Sequence, residues 1–136
     1  MKKSLPWVLA LFLLLVCAAC GGKTDDAVID CGTSERYTAE EIEAVAAVVE
    51  QEFKTLEGCE LHALTYAGDE RSQQELDYYN SLDEGTVYAD CIVFDSSFRS
   101  PKKGGGAWEA DTEYTWSWIL TREEGGDWTL LTYGYG

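Results

Sequence analysis

His62 is the single histidine of the 136-residue chain. An imidazole is the side chain whose ordinary pKa lets it take or give a proton near neutral pH. On a strand with Glu60, Leu64 and Tyr66 to one side, His62 could face a pocket and pair with an acid such as Asp90, serving as a base on a small molecule. A satisfied or surface histidine is the other reading. Arg99, Lys102 and Lys103 gather three cations with Phe98 and Trp108 around the triplet Gly104-Gly105-Gly106. That mixture suits an acidic or aromatic partner, as an inhibitor-type loop over residues 96–110 would; a solvated loop tip is the alternative. No G-x-S-x-G, H-E-x-x-H, phosphate loop or EF-hand loop occurs in the sequence, and no residue set marks a cofactor or a metal.

Aromatic residues are unevenly spread. Residues 108–135 hold seven: Trp108, Tyr114, Trp116, Trp118, Trp128, Tyr133 and Tyr135. Tyr114, Trp116 and Trp118 share one face of an alternating strand and could form a platform for a glycan ring or a peptide. The competing reading is a core face, with Trp108, beside the glycines, the one expected to be exposed.

The N-terminus carries an address. Lys2 and Lys3 precede a mostly apolar run, Leu5 to Val16, followed by small residues. This is the pattern of a secretory signal, and the run is short for a bilayer span of about 20 apolar residues. Cys17-Ala18-Ala19-Cys20-Gly21-Gly22 resembles the lipobox of bacterial lipoproteins, with Cys17 where that family usually has Leu. The resemblance implies a signal peptide over residues 1–19, acylation (palmitate among the chains) at Cys20, and a lipid-anchored position on the exported face of the cell membrane. Two acyl chains matter physically, since one alone binds membranes only marginally.

Removing Lys2 and Lys3 with the leader leaves 8 basic against 25 acidic residues, a net charge of -17. So anionic a body gives a phosphate backbone nothing to bind, which argues against nucleic acid. It is also expected to stand off an anionic bilayer, with residues 20–36 serving as anchor and polar tether. Three cysteines then remain, Cys31, Cys59 and Cys91. Export permits a disulfide, and Cys59–Cys91 is conceivable if the strands carrying them are neighbours; a small buried hydrophobe is the equal alternative for Cys91.

The elements that must position these residues are legible from pattern. Thr38 and Glu41 make a capping box, and Ile42, Val45, Ala46, Val49, Phe53 and Leu56 recur on one face, predicting an amphipathic helix over about 39–57 that Gly58 stops. Cys59 to Tyr66 reads as a strand. Ser72 with Glu75 predicts a second, short helix to about Asn80. Thr86 to Asp95 is strand-like with both faces at least partly covered, and residues 96–110 read as a loop. Residues 111–122 alternate cleanly, Glu123 to Asp127 form a hairpin turn, and Trp128 to Tyr135 is the last strand.

The expected fold is α+β: an N-terminal amphipathic helix packed on a curved antiparallel sheet of about four strands, with a second short helix, in one domain over residues 37–136. That order, with Gly125-Gly126-Asp127-Trp128-Thr129-Leu130, resembles the cystatin-like, nuclear-transport-factor-like fold. The chain also resembles small bacterial lipoproteins of uncharacterised family whose domains end in a Trp-rich hairpin. The leading functional expectation is a non-enzymatic, surface-anchored module that binds a peptide, glycan or envelope protein through Trp108, Arg99, Lys102 and Lys103. An enzyme using His62 in a cone-shaped pocket is the second.

Overall fold

The computed structural model describes residues 21–135; the leader and the acceptor Cys20 lie outside the described residues. The class is α+β, with two helices and one five-stranded sheet. Helix α1 spans Ala39–Phe53 and starts as its sequence requires: the Thr38 hydroxyl accepts from Glu41 N while Glu41 reaches back to Thr38 N, both at 3.1 Å. Ile42, Val45, Ala46, Val49 and Phe53 are buried along one stripe. The helix stops four residues before the expected end. Leu56 and Cys59 close tight turns onto Phe53 and Leu56, and Gly58, at φ +77°, takes the left-handed conformation that ends the segment.

The first correction concerns what precedes this helix. Residues 21–36, expected to be a tether, are laid against the domain. Gly22 N donates to Lys54 O, Lys23 N to Cys59 O, and Leu61 N back to Lys23 O. Val28–Asp30 then forms strand β1, parallel to strand β2 (Glu60–Tyr66), with α1 in the crossover that a parallel pair needs. Farther on, the Asp69 carboxylate receives Ser34 Oγ at 2.6 Å and Glu35 N at 2.9 Å. The sheet therefore has five strands, and α1 is not its first element.

Strands β3 (Asp90–Arg99), β4 (Glu113–Arg122) and β5 (Thr129–Gly134) complete an open mixed sheet in sequential order. Strand β3 begins four residues later than expected, because Asn80 clasps Tyr88 through both its N–H and its C=O and holds 86–88 outside the ladder. It also extends to Arg99, through serines that read as loop. Ser96 Oγ accepts the indole N–H of Trp118 at 2.8 Å and donates to Trp116 O, a bonded pair that keeps a hydroxyl in the core.

Helix α2 spans Asp69–Ser81, three residues earlier than expected. Ser72 does not cap it. Its buried hydroxyl accepts from Val93 N at 3.1 Å, satisfying a strand N–H beyond the end of β2. The acids Asp69 and Glu70 in the first turn suit the helix dipole instead.

The helices lie on opposite faces of the sheet. Under α1 are Leu61, Leu64, Phe94, Phe98, Trp118 and Leu120. Under α2 are Cys91, Val93 and Ile119, joined by Leu76. Both faces of β3 are covered from Cys91 to Phe94, in keeping with the partial cover its sequence suggested.

This division also excludes the Cys59–Cys91 bridge. All three cysteines, Cys31 included, are free thiols. Strands β2 and β3 are indeed neighbours, but they run antiparallel, and Glu60 pairs with Arg99. Cys59 thus sits beside the far end of β3, nine residues from Cys91 and roughly 30 Å along the strand, against the limit of about 7 Å between bridged Cα atoms.

Candidate functional site

His62 lies at a break in the ladder. Leu61 pairs with Phe98 and Ala63 with Ser97, so His62 is an extra residue opposite nothing, a β-bulge in β2. A bulge re-aims its side chain. Here the imidazole Nδ1 reaches over β3 to Glu113 Oε1 at 3.0 Å. Glu113 also faces the Arg99 guanidinium at 3.8 Å, and Arg99 bonds Asp111 at 3.1 Å. The result is a half-exposed chain of hydrogen bonds and ion pairs at the Arg99 end of the sheet.

Two expectations change with this placement. His62 is on an open face rather than in a cone, and its partner is Glu113, not Asp90. Asp90 is taken up at the opposite end of β3, where it receives Arg122 Nε at 2.8 Å and the Tyr37 hydroxyl at 3.3 Å.

The loop cluster separates as well. Arg99 belongs to β3 and points to the face of Glu113 and His62. Trp108 packs on the other face against Phe98, Tyr114 and Trp116, at centroid distances of 5.6, 5.1 and 5.3 Å. It is half-buried rather than exposed. Lys102 and Lys103 stay exposed at the loop tip, and neither forms an ion pair among the described residues.

The glycine triplet is a turn former. A Cβ on Gly104, at φ +66°, would sit 2.9 Å from Trp108 O. Gly105 and Trp108 exchange two backbone bonds, and Ser100 Oγ ties Glu109 O to Thr112 N. These bonds close a small hairpin that lays Trp108 on Phe98.

The aromatic strand face divides between core and surface. Trp118 is wholly buried, with Phe53 on one side and Tyr133 stacked at 4.9 Å on the other. Trp116 continues the row to Tyr133 and Tyr135, whose rings are exposed. Its indole Nε1 is buried with no hydrogen-bond partner.

What the sequence reading missed is on the face that α2 only half covers. Past Ile119 the floor of this face is built from β2, β3 and β4: Thr65, Asp95, Ser97, Thr115 and Ser117. Arg71 on α2 walls it, enclosing a depression of about 390 Å³. A second depression of about 260 Å³ shares Arg71 and Ser117 with the first and continues past Glu75 and Tyr79 to Thr132 and Gly134 at the sheet edge. Together they make one groove. Arg71, Glu75 and Tyr79 stand at helical spacing along its wall, with Arg71 and Glu75 paired at 3.1 Å. Asp95 accepts from Ser117 Oγ at 2.7 Å and otherwise faces solvent. The signal was present in the sequence as alternation, since Asp95, Ser97, Thr115 and Ser117 are the polar positions between core residues. Which half of that polar face the second helix leaves open is a tertiary fact.

The chemistry of this groove is hydrogen bonding. Hydroxyls offer a donor and acceptors each, Asp95 accepts and Arg71 donates a planar fork. Among the described residues no group of three or more His, Cys, Asp or Glu is arranged to hold a metal ion.

Set against protein-family models, curated proteins and solved structures, the chain matches none of them.

Proposed function

We propose that this protein is an exported lipoprotein, anchored through acylated Cys20, whose domain is a binding module rather than a catalyst, with the groove beside α2 as its ligand site. The observation that carries the reading is the uncovered half of the sheet: a hydroxyl-lined groove on a rigid floor, with two carboxylates, Asp95 and Glu75, and one guanidinium, Arg71. The combined size falls in the range of about 300–1,000 Å³ that ligand sites occupy. Ligands of this kind of site are oriented by a few well-placed polar groups, and strands hold such groups more firmly than loops do. The anchor rests on the run Ala18-Ala19-Cys20-Gly21 after an apolar leader.

Two measurements test the two halves of this reading. Cys20→Ser is expected to abolish labelling by palmitate and to release the domain from the membrane fraction; a variant processed and retained like wild type would overturn the anchor. For the groove, Tyr79 is replaced by a benzophenone-bearing amino acid, with the same replacement at exposed Val28, on β1 at the other edge of the sheet, as control. Photolysis on intact cells is expected to give an adduct at position 79 and none of the same mass at 28. Absence of any adduct at 79 removes the groove as the site.

A further inference from the structure

Every lysine that follows the leader sits at one end of the molecule. The chain continues from Cys20 directly into Gly21 and Gly22, and neither is free: a Cβ on Gly21 would lie 3.0 Å from Lys54 O, and one on Gly22 only 2.4 Å from Phe53 O. Gly21, the residue that follows the acceptor in sequence, therefore lies beside the C-terminal end of α1. Lys54 caps that helix end. Lys23 bridges to Glu60 beside it. Gly58 abuts Pro101, whose neighbours are Lys102 and Lys103. Lys23, Lys54, Lys102 and Lys103 are all exposed, and none is in an ion pair among the described residues.

The charge of the body is correspondingly lopsided. Eight acids, from Asp25 and Asp26 through Glu52, Glu57, Glu60 and Glu109 to Asp111 and Glu113, share this end with the four lysines and Arg99, leaving it at -3. The other three arginines meet the other seventeen acidic residues, leaving the remainder at -14. An anionic bilayer repels that remainder and attracts the ammonium groups, within a screening length of about 8–10 Å.

Resting on the lipid anchor proposed above, we infer that the lysine end is a membrane-facing surface: the domain sits directly on an anionic lipid bilayer through Lys23, Lys54, Lys102 and Lys103, in one orientation. The Glu123–Asp127 hairpin is then the outermost point. It lies beyond the other end of the ten-residue strand β3, roughly 30 Å away. Docked glycines and unpaired lysines replace the standing-off body that net charge alone suggested.

The test uses the full acylated protein, with Cys31→Ser to leave no accessible thiol, in phosphatidylcholine vesicles with or without phosphatidylglycerol. A spin label is placed at Glu57→Cys, near the lysine end, or at Glu124→Cys, in the hairpin; both positions are exposed and each loses one acid. Relaxation by a gadolinium-bearing lipid headgroup reads distance from the surface. With phosphatidylglycerol, relaxation at 57 is expected to exceed that at 124 by about fivefold or more, since 124 lies several screening lengths out. Lys102→Glu with Lys103→Glu, or vesicles lacking anionic lipid, is expected to bring the two labels to within about twofold. Equal relaxation at both positions in anionic vesicles overturns the inference, as does a ratio that ignores the lysine reversal. A protein that fails to float with vesicles at all fails the anchor reading instead, so the two failures are distinct.

Discussion

Trp118→Ala is expected to cost about 3–5 kcal/mol of folding free energy, the largest effect of any single side chain in the domain. Trp118 is 1% exposed, lies at the contact of α1 with β4 and β5, and has Phe53 and the stacked Tyr133 as neighbours. Truncation removes its buried area and leaves a cavity that the stiff sheet cannot close. It also strips Ser96 Oγ of the indole donor it receives at 2.8 Å inside the core. A domain of this size has about 5–15 kcal/mol in total, so the variant should unfold at a much lower urea midpoint with its m-value kept. Trp118→Phe keeps most of the ring and loses the N–H, and is expected to fall between. A loss below about 1 kcal/mol for the alanine variant would contradict the placement of this residue at the centre of the core.

The second large effect comes with base. Burial pushes the Cys91 thiol up to about 12 from 9.0, helped by the charge of Glu75. Burial, then the neighbouring Asp90 carboxylate, pushes Tyr37 up to about 12 from 10.0. Both groups are neutral when protonated, so the native state holds these protons more tightly than the unfolded chain. Their contribution is complete below pH 9, falls as the unfolded thiol ionises, falls faster above pH 10 when unfolded tyrosine joins it, and is gone beyond 12. At about 1.4 kcal/mol per pH unit for each proton, the pair removes several kcal/mol across that window. The thiol of Cys59, also raised by burial, adds in the same direction. Urea midpoints followed by far-ultraviolet circular dichroism from pH 8 to 12 should therefore drop steeply, and Cys91→Ala should shallow the slope between pH 9 and 10. A midpoint that stays level from pH 8 to 11 would show that neither group is held away from water.

The helix α1 was legible because three independent signals agree in it: a capping box, a five-residue apolar stripe and a glycine stop. Strand β4 was legible from alternation. Strand β1 was not, since its three residues are all exposed and no burial pattern marks them; it exists because β2 offers an unpaired edge. Ser96 and Ser97 read as loop because a serine pair carries no strand preference; the bonds to Trp118 and Trp116 explain Ser96, and Ser97 alternates to the groove face. Ser72 matched a capping motif, yet Val93 N claimed its hydroxyl.

The candidate site was less legible than the fold. His62 and Arg99 were singled out from the sequence and do meet, through Glu113, but the bulge that brings them together has no local signature. Trp108, Lys102 and Lys103 were grouped with Arg99 by proximity along the chain, and the sheet passes between them. The groove depends on where α2 lies across the strands, which four hydroxyl residues in three strands could not announce.

The docking of residues 21–30 also decides how the protein bears load. Under the anchoring proposed above, a molecule gripping a ligand would be pulled between its N-terminal segment and its groove. Here the first segment runs beside β2 in parallel, bonded at Lys23 and Val28–Asp30, while Gly22 is held to Lys54 O at the end of α1. Tension along that direction shears several hydrogen bonds at once instead of unzipping them singly. The leash is built into the sheet, and the domain resists extraction as a unit.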